Sequence, residues 1–288
     1  MLWAMPTITP IVFAAAASLL AATAQAAAAT IVFCSPGSPG DTLQAKPVME
    51  QFARALEKAG GLPAGTVNAE YHEAEAAGVG AMRAQALLGA VPVPFFVAHG
   101  KELGLEPRLS IVTNTGQPER FALVVRKGAI AKSADLSGWE VTGTTGYAAG
   151  FVRRLFAKGF GALPDDARIT FTAAPLQALR RAASGEKLAV VLDATQSASL
   201  ASLPFGADLD VLARSEPLPA GLVCVVKPAA AAHAKTVPSL LKGLERMPKS
   251  PEGKEALLAI RVERFEPIDA ARIAPLRAEE GPAGASRP

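Results

Sequence analysis

The first third of the chain alternates short apolar runs with segments whose apolar residues recur every three or four positions. Residues 30–34 form a β-branched apolar run, which predicts a buried strand. Val48, Phe52 and Leu56 then recur at helical spacing, and Gly60-Gly61 predicts the end of that helix. The next expected elements are a strand at 67–72, a helix marked by Val79, Met82, Ala86 and Leu87, and a strand at 91–97 in which Pro92 and Pro94 favour an irregular or edge position.

The same order of elements is predicted again further along the chain. The expected segments are strands at 119–127, 139–141, 169–172 and 187–193, a helix at 176–183, a strand within 217–228, and helices at 239–247 and 250–260. Strands that alternate with helices are typical of a mostly parallel α/β sheet. The sequence therefore predicts an α/β fold whose pattern occurs twice, without a sequence repeat.

One turn in the second half carries the strongest candidate chemistry. A short strand at 139–141 leads into Gly143-Thr144-Thr145-Gly146, and a helical pattern is predicted from Tyr147 onward. The first N–H groups of a helix have no partner within it, and the helix dipole places partial positive charge there. Glycines that admit a ligand and two threonine hydroxyls would suit a phosphate, phosphonate or carboxylate. The alternative is an ordinary helix cap, in which a threonine satisfies the helix internally.

The first 26 residues differ from the rest of the chain. Residues 11–24 form an uncharged, alanine-rich apolar run, and Ala24-Gln25-Ala26 fits the small-x-small rule for signal-peptide cleavage. No Lys or Arg precedes Lys46, so the usual basic start is missing, and an uncleaved anchor is the alternative. We expect export to the periplasm with cleavage after Ala26.

Composition excludes some partners and leaves others open. The 288 residues carry a net charge of +3 and no cluster of Lys and Arg interleaved with aromatics, so nucleic acid is not expected as a partner. Cys34 and Cys224 both fall in strand-like runs. Two buried thiols are favoured, although an oxidising compartment would permit a disulfide.

The motifs of common enzyme classes are missing from the sequence. It has no P-loop, no G-x-G-x-x-G and no G-x-S-x-G, and neither cysteine has a His or acid placed beside it. His72 lacks the second His of a zinc helix, and His99 and His233 stand alone. We therefore expect no catalytic residues, no metal and no cofactor.

The run F-A-L-V-V-R-K-G-A-I-A-K-S-A-D-L-S-G-W-E-V-T-G-T-T-G-Y, at 121–147, resembles a known crossover region. It is similar to that of type 2 periplasmic solute-binding proteins, and most similar to the phosphate/phosphite/phosphonate-type binding proteins of ABC transporters. Residues 176–194 and 250–260 resemble the later helix–strand pair and the C-terminal helix of that family. The resemblance is weakest in the first lobe.

The resemblance implies two α/β lobes that are joined by two strands and close over a ligand. Between the signal peptide expected at 1–26 and a disordered tail expected at 278–288, it places the first part of lobe 1 at 27–126, lobe 2 at 127–217 and the return to lobe 1 at 218–277. It implies a small anionic ligand and a membrane permease of an ABC transporter as partners. We expect a monomer.

The resemblance also implies positions for the ligand-binding residues. The anion turn falls on Thr144, Thr145 and Gly146, with Tyr147 next. Asp193 follows a second-lobe strand, where it accepts hydrogen bonds from a ligand or caps the next helix. The remaining implied positions are in the first lobe: Tyr71, for which a ligand contact is favoured; Phe95 and Phe96, for which core packing is favoured; and Ser35, in a loop that faces either the cleft or solvent.

Two departures from the family pattern bear on the ligand. Phosphonate binders of this family tend to carry Ser-Thr-Ser at the anion turn, where this chain has Thr144-Thr145-Gly146. They also place a His before the helix that corresponds to Leu176, where this chain has Ala173-Ala174-Pro175. Another oxyanion, an organic phosphate or a carboxylate therefore stays open. The alternatives to a transport component are an enzyme on the same scaffold and a ligand sensor without a permease.

Overall fold

The computed structural model describes residues 28–38, 40–230 and 233–268. The expected signal peptide and tail lie outside these ranges. Within them, no helix combines the length and the apolar character that crossing a bilayer requires.

Strands and helices alternate along most of the described chain. The strands are β1 (Ala29–Cys34), β2 (Val67–His72), β3 (Ala86–Val91), β4 (Leu105–Thr113), β5 (Ala122–Arg126), β6 (Glu140–Gly143), β7 (Arg168–Phe171), β8 (Leu188–Leu192), β9 (Leu209–Arg214), β10 (Gly221–Val226) and β11 (Val262–Pro267). The helices are α1 (Thr42–Gly60), α2 (Glu75–Gln85), α3 (Val93–Leu103), α4 (Ala149–Arg154), α5 (Pro175–Ala183), α6 (Ala194–Ala198), α7 (Lys227–Ala230), α8 (Thr236–Arg246) and α9 (Pro251–Ala259).

The first lobe is built on a six-stranded sheet in the order β11-β4-β10-β3-β1-β2. β1 pairs in parallel with β2 and β3, whereas β10 is antiparallel to β3 and β4. Every residue of β3 and β10 is buried, which explains their continuous apolar sequences. The carboxyl ends of β1 and β2 therefore leave the sheet at one edge, at Cys34 and His72.

The second lobe repeats this arrangement on a five-stranded sheet in the order β7-β6-β8-β5-β9. β6 is parallel to β7 and β8, and β5 is antiparallel to β8 and β9. Gly143, Phe171 and Leu192 consequently end their strands at a common edge. Ligands of open α/β sheets bind at such edges.

Two antiparallel chain segments join the lobes. Glu119 and Leu218 exchange backbone hydrogen bonds of 2.9 Å each way. Next to them, the Ser215 hydroxyl accepts a hydrogen bond from Phe121 N at 3.0 Å, and Ser215 N donates to Phe121 O at 2.8 Å. The two crossings are thus tied to each other by hydrogen bonds.

An apolar contact between α3 and α4 also connects the lobes. Phe95 and Phe96 on α3 are fully buried in the same cluster as Phe151 and Val152 on α4. Phe151 also meets Phe121 of the first crossing edge to face, with ring centroids 5.7 Å apart. The core packing expected for Phe95 and Phe96 is therefore what the structure has.

The strand expected at 91–97 is wrong beyond Val91, because α3 begins at Val93. Pro92 is the extended residue before this helix, and Pro94 lies in its first turn, where a missing N–H breaks no helical bond. The preceding helix also ends earlier than expected, since Ala86 and Leu87 belong to β3. β4, β9 and β11 were not predicted at all.

The lobe boundary expected after Arg126 needs correction. β5 pairs with β8 and β9, so it belongs to the second sheet. The return strand β10 belongs to the first sheet. The chain crosses between lobes around Glu119 and Leu218, because a strand joins the lobe with which it forms its backbone hydrogen bonds.

Candidate functional site

The turn after β6 is closed by its own backbone. Gly146 N donates to Gly143 O at 3.1 Å, and Ala148 N donates to Thr145 O at 3.0 Å. The helix expected from Tyr147 begins instead at Ala149 and contains six residues. The Gly146 amide is therefore already paired, and the short α4 contributes less dipole than the expected helix would.

Gly146 has a packing role in this turn. A β-carbon at this position would collide with the carbonyl group of Thr170 in β7. The backbone that approaches Gly146 closely is thus that of the neighbouring strand. Gly146 holds the turn against the sheet edge and fixes where the side chains on either side of it point.

The hydroxyl groups of Thr145 and Tyr147, on either side of Gly146, are buried without a hydrogen-bond partner among the described residues. Thr144 and Thr145 are only 8% and 7% exposed. Thr145 Oγ1 and Tyr147 Oη are both inaccessible to solvent, and neither has a hydrogen-bond partner among the described residues. Buried hydroxyls are almost always paired, since leaving one unpaired costs about 1–3 kcal/mol. Two such groups in one turn are suited to a bound molecule that supplies the missing partner.

The Tyr147 side chain reaches groups of the first lobe. Burial raises the pKa of Tyr147 well above 10.0, and the nearby Cys34 and Glu75 raise it further. Burial likewise raises the pKa of the Cys34 thiol to about 12, with contributions from Glu75 and Glu73. Glu75 and Glu73 therefore lie close to these two groups, so the first-lobe wall opposite the turn carries acidic side chains.

Glu75 is held in place by a histidine. Its Oε1 lies 2.6 Å from His99 Nε2, and His99 Nδ1 lies 3.6 Å from Glu102 Oε2. Glu75 opens α2 and His99 lies on α3, so the pair ties two helices together at the wall. Neither residue was expected in the site, because residues 72–76 lack the second His of a zinc helix and His99 stands alone in the sequence.

The start of α1, next to this wall, is already capped by two carboxylates. Asp41 accepts hydrogen bonds from Leu43 N at 2.7 Å and Gln44 N at 3.1 Å. Glu73 accepts from Thr42 N at 3.0 Å and also from the Thr42 hydroxyl. These hydrogen bonds to Thr42 lower the pKa of Glu73, so it stays ionised.

Two residues expected on the first-lobe side lie at this wall. Tyr71 is half-buried in β2, and burial, Glu73 and Cys34 raise its pKa. Ser35 directly follows β1, and its N–H donates to His72 O at 3.1 Å. In the same loop, a β-carbon built on Gly37 would meet Thr144 and Phe171 of the second lobe. The loop that contains Ser35 and Gly37 thus lies against the turn, and Cys34 is a neighbour of both Tyr71 and Tyr147.

Asp193 is engaged by its own helix. Its side chain accepts from Gln196 N at 2.7 Å, and Gln196 Oε1 accepts from Asp193 N at 3.2 Å. Burial raises the pKa of Asp193, and the hydrogen bonds from Gln196 and Thr195 offset part of that rise. In this structure, Asp193 therefore makes the contacts of a helix cap, which is one of the two roles that the sequence left open.

A second carboxylate beside Asp193 had no sequence signal. Glu119, at the first crossing, accepts from Ala194 N at 2.7 Å. Burial raises the pKa of Glu119, and the charge of Asp193 adds to the rise. Two half-buried carboxylates, Asp193 and Glu119, therefore lie together at the start of α6 beside the crossings. Glu119 reaches this place through the fold, because it is 75 residues from Ala194 in the sequence.

Other features of the described chain are a cavity that borders this region at Phe171 and two buried cysteines. A cavity of about 210 Å³ lies within the second lobe and is lined by Glu140, Thr142, Phe171, Gln177 and Arg181 among others. Cys34 and Cys224 are buried and not joined in a disulfide. In the described ranges, no group of three His, Cys, Asp or Glu residues is placed to hold a metal ion.

Two α/β lobes, two crossings and a pair of facing sheet edges define the class of type 2 periplasmic binding proteins. Residues 38–273 match the family described as "ABC transporter, phosphonate, periplasmic substrate-binding protein". The chain belongs to this family, which consists of binding proteins, so the enzyme alternative falls away. No curated protein matches the chain by sequence.

Solved structures share the fold at low sequence identity. XAC2383 from Xanthomonas citri, bound to ATP, is 14% identical with a TM-score of 0.64, covering 88% of this chain and 97% of that one. A binding protein component of an ABC phosphonate transporter (PA3383) from Pseudomonas aeruginosa is 16% identical, with a TM-score of 0.58 over 88% and 86%. PhnD1 from Prochlorococcus marinus, in complex with methylphosphonate, is 13% identical, with a TM-score of 0.54 over 87% and 96%.

Proposed function

We propose that this substrate-binding protein captures a small solute with an oxyanionic group at the Thr144–Tyr147 turn and delivers it to a membrane permease. The observation that carries the proposal is the pair of buried, unpartnered hydroxyls, Thr145 Oγ1 and Tyr147 Oη. Hydroxyl donors hold an oxyanion through charge-assisted hydrogen bonds. Thr144 and Gly146 frame the same turn, and Ser35 and Tyr71 approach it from the first lobe.

The acidic first-lobe wall restricts the ligand further. A ligand with two negative charges would be repelled by the carboxylates of Glu75 and Glu73. A monoanion that keeps one proton, or a zwitterion, avoids this repulsion because it presents a donor to the carboxylates. We therefore place the anionic end of the ligand at the second-lobe turn and its proton-bearing or cationic part near Glu75. Asp193 and Glu119 are further acceptors at the crossings.

The lobes close over the ligand, and the closed form is the one that the permease reads. We further propose that the exported chain is cleaved after Ala26 and acts as a monomer. Mass spectrometry of the secreted protein tests the cleavage site, and light scattering tests the monomer. If the protein binds its ligand but no permease encoded by a neighbouring gene transports that ligand, a role as a ligand sensor replaces the transport role.

A thermal-shift panel identifies the ligand, because a tight ligand raises the melting temperature by mass action. The panel contains phosphate, phosphite, sulfate, carboxylates, an aminoalkylphosphonate, methylphosphonate and ATP. The last two are the molecules bound to PhnD1 of P. marinus and XAC2383 of X. citri. We expect a monoanionic or zwitterionic oxyanion to give the largest shift. A panel in which none of these oxyanions raises the melting temperature contradicts the proposal.

A pair of threonine variants then locates the site by calorimetry. Thr145→Val removes an unpartnered hydroxyl, so affinity should fall by at least about tenfold while the ligand-free protein stays as stable as before. Thr142→Val is the matched control, because Thr142 is equally buried in the preceding strand and its hydroxyl donates to Thr170 O at 3.2 Å. The control should lose about 1 kcal/mol of stability and keep its affinity. Equal affinities for both variants would remove the turn from the site.

A further inference from the structure

Gly37 forms a close contact between the two lobes. It lies in the loop after β1, with φ +76°. A β-carbon built on it would lie 2.9 Å from Thr144 Cβ, 3.1 Å from Thr144 Cγ2 and 3.2 Å from Phe171 Cε2. All three atoms belong to the second lobe, so the contact exists only while the lobes are together.

The groups that face Gly37 differ in their freedom to move. Phe171 is 48% exposed, so its ring can turn aside. Thr144 is 8% exposed and directly follows β6, so its β-carbon moves only with the second-lobe backbone. A side chain at position 37 is therefore accommodated most easily by separation of the lobes.

This contact lies beside the proposed ligand site. Phe171 meets Tyr147 edge to face, with ring centroids 6.4 Å apart. Thr144 is the first residue of the turn that carries Thr145 and Tyr147. Lobe separation at Gly37 would thus expose the two hydroxyls whose burial marks the site.

We propose that Gly37 sets how far the lobes close, and that any larger residue there acts as a wedge that lowers the population of the closed form. Gly37 is a positioning residue, since it acts through the approach of the lobes. The effect on affinity rests on the proposed function; the effect on closure does not. Because only the closed form holds the ligand on both sides, apparent affinity falls in proportion to the closed fraction.

Gly65 provides a matched control for backbone strain. Its φ is also +76°, and a β-carbon there would meet nothing within 4 Å. Asparagine tolerates this backbone region better than other residues with a side chain. Gly37→Asn and Gly65→Asn therefore carry similar local strain, and only the first meets the opposite lobe.

Small-angle X-ray scattering of the ligand-free full chain compares these two variants and Gly37→Ala with the parent protein. Gly37→Asn should raise the radius of gyration, Gly37→Ala should raise it less, and Gly65→Asn should leave it unchanged. A radius that is unchanged in Gly37→Asn, or raised equally in Gly65→Asn, overturns the proposal. This comparison needs no ligand, so it stands even if the panel finds no oxyanion.

Calorimetry provides the second readout once the panel has identified a ligand. Gly37→Asn should weaken binding by about the factor by which the closed fraction falls, whereas Gly65→Asn should bind like the parent. Both variants should lose similar thermal stability. Weakened binding by Gly37→Asn with an unchanged scattering curve would make Gly37 a direct ligand contact and overturn the wedge.

Discussion

Asp193 and Gln196 hold each other at the start of α6. The Asp193 carboxylate accepts from Gln196 N at 2.7 Å, and the Gln196 side chain accepts from Asp193 N at 3.2 Å. This reciprocal cap uses one carboxylate oxygen of a residue that the family resemblance places in the ligand site. The cap and a ligand contact make different demands on the side chain, and two substitutions separate them.

Replacing Asp193 by Ala removes the cap and should lower the free energy of unfolding by about 0.5–2 kcal/mol. Asp193→Asn keeps an acceptor oxygen, so its stability should stay near that of the parent in chemical denaturation. If the ligand needs the charge, the Asn variant should bind it more weakly at unchanged stability. Calorimetry that finds parent-like affinity for Asp193→Asn would restrict this residue to its cap.

Replacing Tyr147 by Phe should have opposite effects on stability and on binding. The hydroxyl is buried without a partner, so its removal should leave the ligand-free protein as stable or raise its stability by about 1 kcal/mol. The same change removes a donor to the ligand and should weaken binding by about tenfold. A variant that loses stability and keeps its affinity would mean that Tyr147 serves packing alone.

Glu75→Gln should lower the pKa of Tyr147, because the negative charge of Glu75 contributes to its rise. The pKa should stay above 10.0, since burial is the larger cause. Tyr71 is the other tyrosine of the chain, so spectroscopic titration in a Tyr71→Phe background follows Tyr147 alone. Glu102→Gln, which changes the other carboxylate beside His99, is the control and should leave the titration curve in place. Identical titration curves for the Glu75→Gln variant and the Tyr71→Phe background would show that Glu75 does not affect the pKa of Tyr147.

Protonation of Glu119 should stabilise the folded protein as the pH falls from neutral toward the ordinary glutamate pKa of 4.5. Burial and Asp193 raise its pKa above the ordinary 4.5, so the folded chain takes up a proton before the unfolded chain does. The stabilisation is complete below the unfolded pKa and is lost as the pH rises through the folded pKa. Glu119→Gln should gain less in melting temperature over this interval than the parent. An equal gain in both proteins would exclude Glu119 as the titrating group.

The α/β class and the alternation of elements follow from local patterns, because buried parallel strands such as β1 and β8 are continuous apolar runs. β4, β9 and β11 escaped prediction because their burial is mixed and their pairing partners are distant in sequence. At 91–97 the apolar run fits either element, and the two prolines are compatible with a helix start as well as with an edge strand. Periodicity alone does not distinguish these possibilities.

Local sequence pattern predicted only the second-lobe side of the candidate site, whereas Ser35 and Tyr71 on the first-lobe side were implied by the family resemblance. The turn at 144–147 has a local signature, with glycines and hydroxyls between a strand and a helix. Glu75, His99, Glu119 and Gly37 reach the site through the pairing of distant strands and the approach of the two lobes. No local pattern marks such residues, since their neighbours across the cleft come from the other half of the chain.

The carboxylates of Asp41 and Glu73 cap the start of α1, and this capping determines which lobe the ligand should bind first. The start of the longest helix on the first-lobe wall is occupied, so an incoming anion finds neutral hydroxyls on one wall and fixed negative charge on the other. The solute should therefore bind the second lobe first, through its negatively charged end. Closure of the first lobe should follow this binding step. The first lobe should therefore select the ligand at the closing step. It should close only over a ligand whose other end donates a proton or hydrogen bond to its carboxylates.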